Sequence, residues 1–361
     1  MDERLQAVLE PLRARIDALD EQILDLLNQR AQAALEVGQA KQAVDAGGPI
    51  LKPERESLVI RRLQALNPGP VPEAAVAAIW GQIISTCRGL ESTLTVAYLG
   101  PQGSFSEQAA HEHFGHFITG LRCESFDEVF RSVEAGQADV GMIPVENSSE
   151  GAVNRSLDLL LHSSLKVLGE RTIRIHHNLL TCTGGLEGVV KVLGHPQALA
   201  QCQGWLSRNH PELERLPVAS NAQAARMASE DPTCAAIAGD AAAAAWGLSA
   251  VVSGIQDDPQ NQTRFVAVGP FDAGPTGDDK TSLVVAVPNR AGAVYEMLAP
   301  LSRHGVSMTR LESRPARTGQ WEYYFYVDVL GHRADAPVAK ALAELRQQVA
   351  FFKVLGSYPK Q

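Results

Sequence analysis

The strongest constraint on this chain is an apolar stripe through its first roughly forty residues. Leu5, Leu9, Leu12, Ile16, Leu19, Ile23, Leu26, Leu27, Ala34 and Val37 recur at steps of three and four, the spacing of one face of an α-helix. A helix this long, with no proline after Pro11, needs partner helices to cover its stripe. Gly47-Gly48-Pro49 ends the pattern, and Glu54–Leu66 and Glu73–Leu90 read as two more helices around the break Asn67-Pro68-Gly69-Pro70. One long helix and two short ones enclose a poor core in a single copy. The expectation is an intertwined helical dimer.

At Leu94 the texture changes. The β-rich runs Leu94–Leu99, Val140–Val145, Val189–Leu193 and Ala235–Ala238 precede helical stretches, and Phe265–Val268 closes the series. That is an α/β pattern with a mostly parallel sheet. A polar, Gly/Pro-rich linker, Phe271 to Asp279, follows. Beyond it come strand Thr281–Val287, helix Val294–His304, strands Met308–Ser313 and Glu322–Val329, helix Val338–Gln347 and strand Phe351–Gly356. The order βαββαβ is the ferredoxin-like layout. The domains expected are therefore 1–92 all-α, 93–270 two-lobed α/β, and 280–358 α+β, which a chain of 361 residues is long enough to build.

Composition narrows the partners. A formal charge of −9 argues against nucleic acid or an anionic membrane, while leaving room for anionic small molecules at local clusters of Arg and Lys. Met1-Asp2-Glu3-Arg4 leads into no apolar signal region, and no apolar run is long enough to span a bilayer. Cys87, Cys123, Cys182, Cys202 and Cys234 are odd in number and scattered, so they read as reduced thiols of a cytoplasmic protein. No metal and no cofactor is expected.

Charge placement on the first helix is more informative than its stripe. At about 100° per residue, Arg30 and Lys41 differ by roughly 20° of azimuth and share a face, whereas Arg13 lies about 100° from Arg30. That offset suits a role across a dimer interface. One such arginine alone reads as a solvated helix charge. The set Leu12-Arg13, Ile16, Leu19-Asp20, Leu26-Leu27, Arg30, Glu36-Val37-Gly38, Lys41, Pro53-Glu54-Arg55-Glu56 and Ile83-Ile84-Ser85 resembles the all-helical chorismate mutases over essentially the whole segment. The resemblance implies that Arg13 of a neighbouring chain and Arg30 grip the two carboxylates of chorismate. It further implies that Lys41 donates to the ether oxygen, Arg55 supports the site and Glu56 binds the ring hydroxyl. The Claisen rearrangement to prephenate needs the dianion held in a compact chair and charge stabilised on the breaking C–O bond, which these residue types supply.

Two family positions differ. Lys52 stands where some relatives carry an acid, and Cys87 and Glu91, an i,i+4 pair, stand where some carry Ser and Gln. A glutamate donates only when protonated, so mutase activity is expected to rise toward acid pH and Glu91→Gln to flatten the profile. A pH-independent wild-type rate would contradict this.

Three junctions dominate the second segment. Gly100-Pro101-Gln102-Gly103-Ser104-Phe105-Ser106 opens a helix after a strand, where backbone N–H groups meet anions. It is not G-x-G-x-x-G, so a dinucleotide is not expected. Pro144-Val145-Glu146-Asn147-Ser148 ends another strand, and Asn261-Gln262-Thr263-Arg264-Phe265 leads into the last. Each alone reads as a cap or turn. In this order, with His177-Asn178-Leu179, His195-Pro196-Gln197-Ala198-Leu199, Gln201-Cys202 and Ser220-Asn221-Ala222, they resemble the prephenate dehydratases across residues 94–270. The resemblance implies two lobes like periplasmic binding proteins and conversion of prephenate to phenylpyruvate, CO2 and water. Thr263 is expected to donate to the departing hydroxyl or relay a proton from Glu146 or water, with Arg264 and Phe265 shaping the pocket. Glu146, Asn147, Ser148, Ser104 and Ser106 are expected to orient substrate. His176, His177 and His195 lack metal-ligand spacing, and His195 before Pro196 reads equally as a capping residue.

In the third segment Asn289, Gly292, Ala293 and Val294, then Glu312-Ser313-Arg314-Pro315, resemble the phenylalanine-binding motifs of the ACT regulatory domain. That implies feedback inhibition by L-phenylalanine bound at a subunit interface, in a homodimer or homotetramer. Two alternatives stay open: a monofunctional dehydratase whose helices only dimerise, and a non-catalytic aromatic amino-acid sensor.

Overall fold

The computed structural model describes residues 3–44, 48–288, 290–315 and 323–361. Gly47, Asn289 and Glu322, invoked above for a helix break, a ligand motif and a strand start, lie outside the described residues. The chain opens with helices α1 (Glu3–Val44), α2 (Pro53–Leu66) and α3 (Glu73–Glu91). It continues with β1 (Leu94–Leu99), α4 (Phe105–Phe114), β2 (Ile118–Cys123), α5 (Phe126–Glu134), β3 (Val140–Asn147), β4 (Gly151–Ala152), α6 (Asn154–His162) and β5 (Lys166–Arg174). A second lobe follows: β6 (Asn178–Thr181), β7 (Lys191–Gly194), α7 (Pro196–Gln201), α8 (Gln203–Asn209), β8 (Glu214–Pro217), α9 (Asn221–Glu230), β9 (Cys234–Ala238), α10 (Asp240–Trp246) and β10 (Ser249–Val252). The chain then returns to the first lobe as β11 (Gln262–Gly269). The last unit is β12 (Asp279–Val287), α11 (Ala293–Arg303), β13 (Met308–Pro315), β14 (Tyr323–Leu330), α12 (Ala336–Gln348) and β15 (Phe351–Pro359).

The amphipathic prediction for α1 holds, but in one chain its stripe is largely uncovered. Leu12, Ile16, Leu19 and Ile23 are about half exposed, whereas Gly38 is buried where α1 crosses Glu91 of α3. The second half of α3 docks on the first lobe. Arg88 pairs with Glu56 and donates to the Phe114 carbonyl at 2.6 Å, and Ser85 Oγ accepts from the Phe117 amide at 3.3 Å.

The two α/β sheets are mixed, not mostly parallel. The first runs β2-β1-β3-β11-β5 and the second β10-β6-β9-β7-β8. β1 is parallel to β2 and β3, but the returning β11 is antiparallel to both β3 and β5. Two crossovers, after β5 and before β11, join the lobes, which makes the cleft between them the natural ligand site.

The ferredoxin-like order is as expected, with sheet order β13-β14-β12-β15 and every neighbouring pair antiparallel. Helices α11 and α12 cover one face through a core that includes Leu283, Val285, Met297 and Leu342. The other face shares a core with the first lobe, where Val284, Tyr326, Leu355 and Tyr358 pack with Leu157, Leu160, Val266 and Val268. Gly356 lies so close to the Val167 backbone that a side chain there would collide with it.

Candidate active site

A cavity of about 450 Å³ lies between the lobes. Ser104, Ser106, Asn147, Thr263 and Phe265 line it from the first lobe, and His195, Gln201 and Ser220 from the second. None of the residues lining it is Asp, Glu, Lys or Arg. Instead α4 and α9, one from each lobe, begin at its wall with Ser104 and Ser220 as N-caps. Free N–H groups and the positive end of each helix dipole suit anionic groups there. Arg122 and Arg226 line a wider mouth of about 810 Å³, from opposite lobes.

Strand alternation explains which neighbours enter the cleft. On β11, Thr263 and Phe265 line the cavity, while Val266 and Val268 belong to the core shared with the ferredoxin-like unit. Arg264 therefore points away from the cleft. On β3 alternation alone would send Glu146 to the same face as Pro144. A bulge intervenes: Arg264 pairs with Glu146 but Phe265 pairs with Pro144, leaving Val145 as the extra residue. The parity flips, and Asn147 faces Thr263 across the ladder.

Asn147 organises the cleft. Its Oδ1 accepts from the amides of Ser149 (3.0 Å) and Glu150 (3.2 Å). Its Nδ2 donates to Thr263 Oγ1 at 2.8 Å and to Asn261 Oδ1 at 3.0 Å. Asn261 Nδ2 reaches Gln201 Oε1 at 3.1 Å, and His177 Nε2 lies 3.0 Å from the same oxygen. Burial, the largest influence, lowers the His177 pKa, although the Gln201 contact works the other way. Because Thr263 accepts from Asn147, its own proton is free to be donated into the cleft.

Several expected roles move. Arg264 binds Glu170 Oε2 (2.8 Å), Asp328 Oδ2 (2.7 Å) and the Tyr358 hydroxyl (3.0 Å), so it joins the dehydratase-like sheet to β14 and β15 rather than shaping the pocket. Burial disfavours its charge, but Tyr358, Asp328 and Glu170 more than offset that and raise its pKa. Glu146 accepts from Arg310 of β13 at 2.7 Å and cannot relay a proton to Thr263 from that face. Ser148 Oγ accepts from the Gln262 amide at 3.0 Å, a strand-closing role. Ser104 lines the cleft, but its hydroxyl caps α4 and donates to Leu99 O at 2.8 Å. His195 caps α7, its Nδ1 accepting from the Gln197 amide at 3.3 Å. Neither Asn261 nor Gln201 was singled out by sequence reasoning as a site residue; each entered only as part of a motif.

In the helical unit, Lys41 Nζ meets Glu91 Oε1 at 3.0 Å, bringing together the two candidate donors to an ether oxygen. Glu56 is engaged by Arg88, Cys87 is buried, and Lys52 and Arg55 are exposed. Arg30 is half-buried and Arg13 exposed. At 1.5 Å per residue, Arg13 and Lys41 are about 42 Å apart along α1 and cannot serve one pocket from the same chain.

In the ferredoxin-like unit, Gly292 caps α11 at φ 82°, a left-handed conformation that favours glycine. Ala293 is buried and Val294 exposed beside it. On the edge strand β13, Ser313 and Pro315 are exposed and Glu312 half-buried. Arg314 is buried against the first lobe, donating to Asp158 Oδ1 and Asn154 O at 2.6 Å each, so it is a docking contact rather than part of an open ligand site.

Fold and site together define a two-lobed cleft enzyme carrying a helical module before it and a ferredoxin-like unit after it. Residues 12–92 match the family described as chorismate mutase type II, 96–272 prephenate dehydratase and 281–347 the ACT domain. A bifunctional chorismate mutase/prephenate dehydratase of Neisseria gonorrhoeae is 49% identical, with 99% of each chain covered. A solved prephenate dehydratase from Arthrobacter aurescens, in complex with L-Phe, is 35% identical at TM-score 0.68, covering 74% of this chain and 90% of that one. A protein described as a novel type of quorum quenching acylase is 31% identical, also at TM-score 0.68, covering 74% and 98%. The last shows that the scaffold alone does not fix the chemistry. The chain belongs to the bifunctional chorismate mutase/prephenate dehydratase family.

Proposed function

We propose that this protein converts chorismate to prephenate in its helical unit and prephenate to phenylpyruvate, CO2 and water in the cleft, under feedback inhibition by L-phenylalanine. The observation that carries the dehydratase is the Thr263 hydroxyl, held by Asn147 as an acceptor and left with a free proton on the wall of an otherwise uncharged cavity. As CO2 leaves, its bond pair flows into the ring, hydroxide departs and the ring aromatises, so the protein need only orient the substrate's anionic groups and stabilise the departing oxygen. The starts of α4 and α9 suit the first task and Thr263 the second. Water replaces Glu146 as the source of any relayed proton.

The mutase is assigned to two copies of the chain. The uncovered stripe of α1 and the long separation of Arg13 from Lys41 both support a dimer in which Arg13 reaches the neighbouring site. Arg30, Lys41 and Glu91 would act from one chain, with Lys52, Arg55, Glu56 and Cys87 around them. For the regulatory unit, Gly292, Ala293, Val294, Glu312, Ser313 and Pro315 remain the proposed phenylalanine contacts, with Asn289 as a further candidate. The open edge of β13 suits a second copy beside it. Among the described residues no helix is long and apolar enough to cross a membrane.

The decisive experiment supplies chorismate alone to the full chain. Phenylpyruvate is expected to form, and to form more slowly when L-phenylalanine is added. Prephenate accumulating without phenylpyruvate would refute the dehydratase, and an untouched chorismate pool supplemented by turnover of added prephenate would refute the mutase.

A further inference from the structure

The inner cavity is lined by no charged side chain, but the mouth outside it is. The two spaces share Leu99, Gly100, Ala219, Ser220 and Ala222, so they are continuous. Four side-chain donors border the mouth with N–H groups left over. On β2, Arg122 Nε lies 3.4 Å from Glu107 Oε1, an oxygen that also accepts from Tyr98 at 2.8 Å, and the outer guanidinium nitrogens have no partner among the described residues. On α9, Gln223 and Arg226 stand three residues apart and share a face. Gln223 Oε1 accepts from the Ala219 amide at 3.1 Å, which fixes the amide and leaves its Nε2 as a free donor. Arg226 is exposed; its carbonyl accepts from Ser229 at 2.6 Å, while its guanidinium has no partner among the described residues. Trp246 ends α10, and its indole N–H is buried with no acceptor among the described residues. Buried donors without acceptors are costly, and an anionic ligand oxygen is the acceptor lacking here. Glu124 is the one carboxylate lining the mouth and it is exposed, so the two arginines leave a positive opening on a chain of formal charge −9.

We propose that Arg122, Gln223, Arg226 and Trp246 form a carboxylate receptor at the cleft mouth, whose ligand is the pyruvyl carboxylate of prephenate. The inference rests on the dehydratase reading of the cleft and gives the two carboxylates of the substrate different places. Prephenate carries its hydroxyl at one end of the ring and both carboxylate-bearing groups at the other. Thr263 lines the inner cavity and not the mouth, so a hydroxyl placed there leaves the far end of the ring to face outward. The ring carboxylate leaves as CO2 and loses its charge. A cation on it would hold the ground state more tightly than the transition state and slow the step. Uncharged inner walls suit that group. The pyruvyl carboxylate keeps its charge from substrate to product, so arginines on it add affinity without opposing the chemistry. Arg122 belongs to the first lobe and Arg226 to the second, so the charged arm is met from both walls.

The test uses Arg122→Met, Arg226→Met and the double variant in the full chain, with prephenate turnover followed against an enzyme-free blank. KM for prephenate is expected to rise about tenfold in each single variant and about 100-fold in the double, with kcat nearly kept. Trp246→Phe, which loses the indole N–H, should raise KM severalfold. Phenylpyruvate and phenylacetone, which has a methyl group in place of the carboxylate, are then compared as competitive inhibitors. The wild type should prefer phenylpyruvate by about tenfold or more, and the double variant should bind the two about equally. Arg208→Met removes an exposed charge of the same lobe outside the mouth and should keep both KM and the preference. Unchanged chorismate turnover in each variant reports an intact fold. KM within twofold of wild type in the double variant, a loss that falls on kcat instead, or the same loss in Arg208→Met overturns the receptor while leaving the dehydratase reading in place. A wild type that makes no phenylpyruvate overturns both.

Discussion

Thr263→Val is expected to lower kcat for phenylpyruvate formation by about 10²–10³-fold, with little change in KM and none in chorismate turnover. Valine keeps the shape of the buried threonine and removes only the hydroxyl. Asn147 would lose one acceptor but keep Asn261 Oδ1 at 3.0 Å and Gln262 O at 3.3 Å, so the amide is not stranded. The stability cost should stay near 1 kcal/mol. The kinetic cost is larger because the hydroxyl matters most when oxygen departs with charge on it. An interaction made mainly in the transition state appears in kcat, whereas one made equally with bound substrate appears in KM. Thr263→Ser, which restores the donor, should recover most of the rate. A Thr263→Val enzyme within threefold of wild-type kcat would remove Thr263 from the chemistry.

How much of this was legible beforehand depends on whether the signal was local. The α1 stripe and the βαββαβ order were legible, because period and turn chemistry act over a few residues. Strands β2 and β5 were not singled out. They are the two edges of the first sheet, and Arg122, Lys166, Glu170 and Arg171 break their apolar runs. The mixed sheet was missed because the return of β11 from the second lobe is a long-range event that no window records. The same holds within the site. Thr263 could be singled out, but which neighbour shares its face could not. Strict alternation along β3 favours Glu146, and only the bulge at Val145, visible in the register with β11, gives the place to Asn147. Arg264 was assigned to the pocket with Phe265 because both adjoin Thr263 in the motif that carries the family resemblance. The cleft is lined by helix starts and amides, and the cation is used elsewhere. Gln201, His177 and Asn261 come from separate stretches that meet only where the lobes join.

The second large effect is expected at Arg264. Arg264 and Lys280 balance Glu170 and Asp328 in a nearly dry layer between the first lobe and the ACT unit, with Tyr358 and Ser282 completing the hydrogen bonds. Arg264→Met leaves two buried carboxylates facing one lysine, which should cost about 3–5 kcal/mol in the unfolding of the full chain. Adding Asp328→Asn removes the surplus charge and leaves Glu170 with Lys280 at 2.5 Å. The double variant should therefore recover most of the stability, a coupling that denaturant titrations of the four proteins would read directly. Inhibition should behave differently. Thr263 and Arg264 are adjacent on β11, one facing the cleft and the other the ACT sheet, and Asn147 and Glu146 repeat the arrangement on β3. A shift of the ACT sheet would pull on Arg264 and Glu146, and so on the strands that carry Thr263 and Asn147. In the double variant that connection is cut even though the charge is balanced. The L-phenylalanine concentration that halves dehydratase activity should rise about tenfold, within the usual range of coupling energies. Restored stability with unaltered inhibition would make the layer a docking device only, and the signal would then have to cross by Arg314 and Asp158.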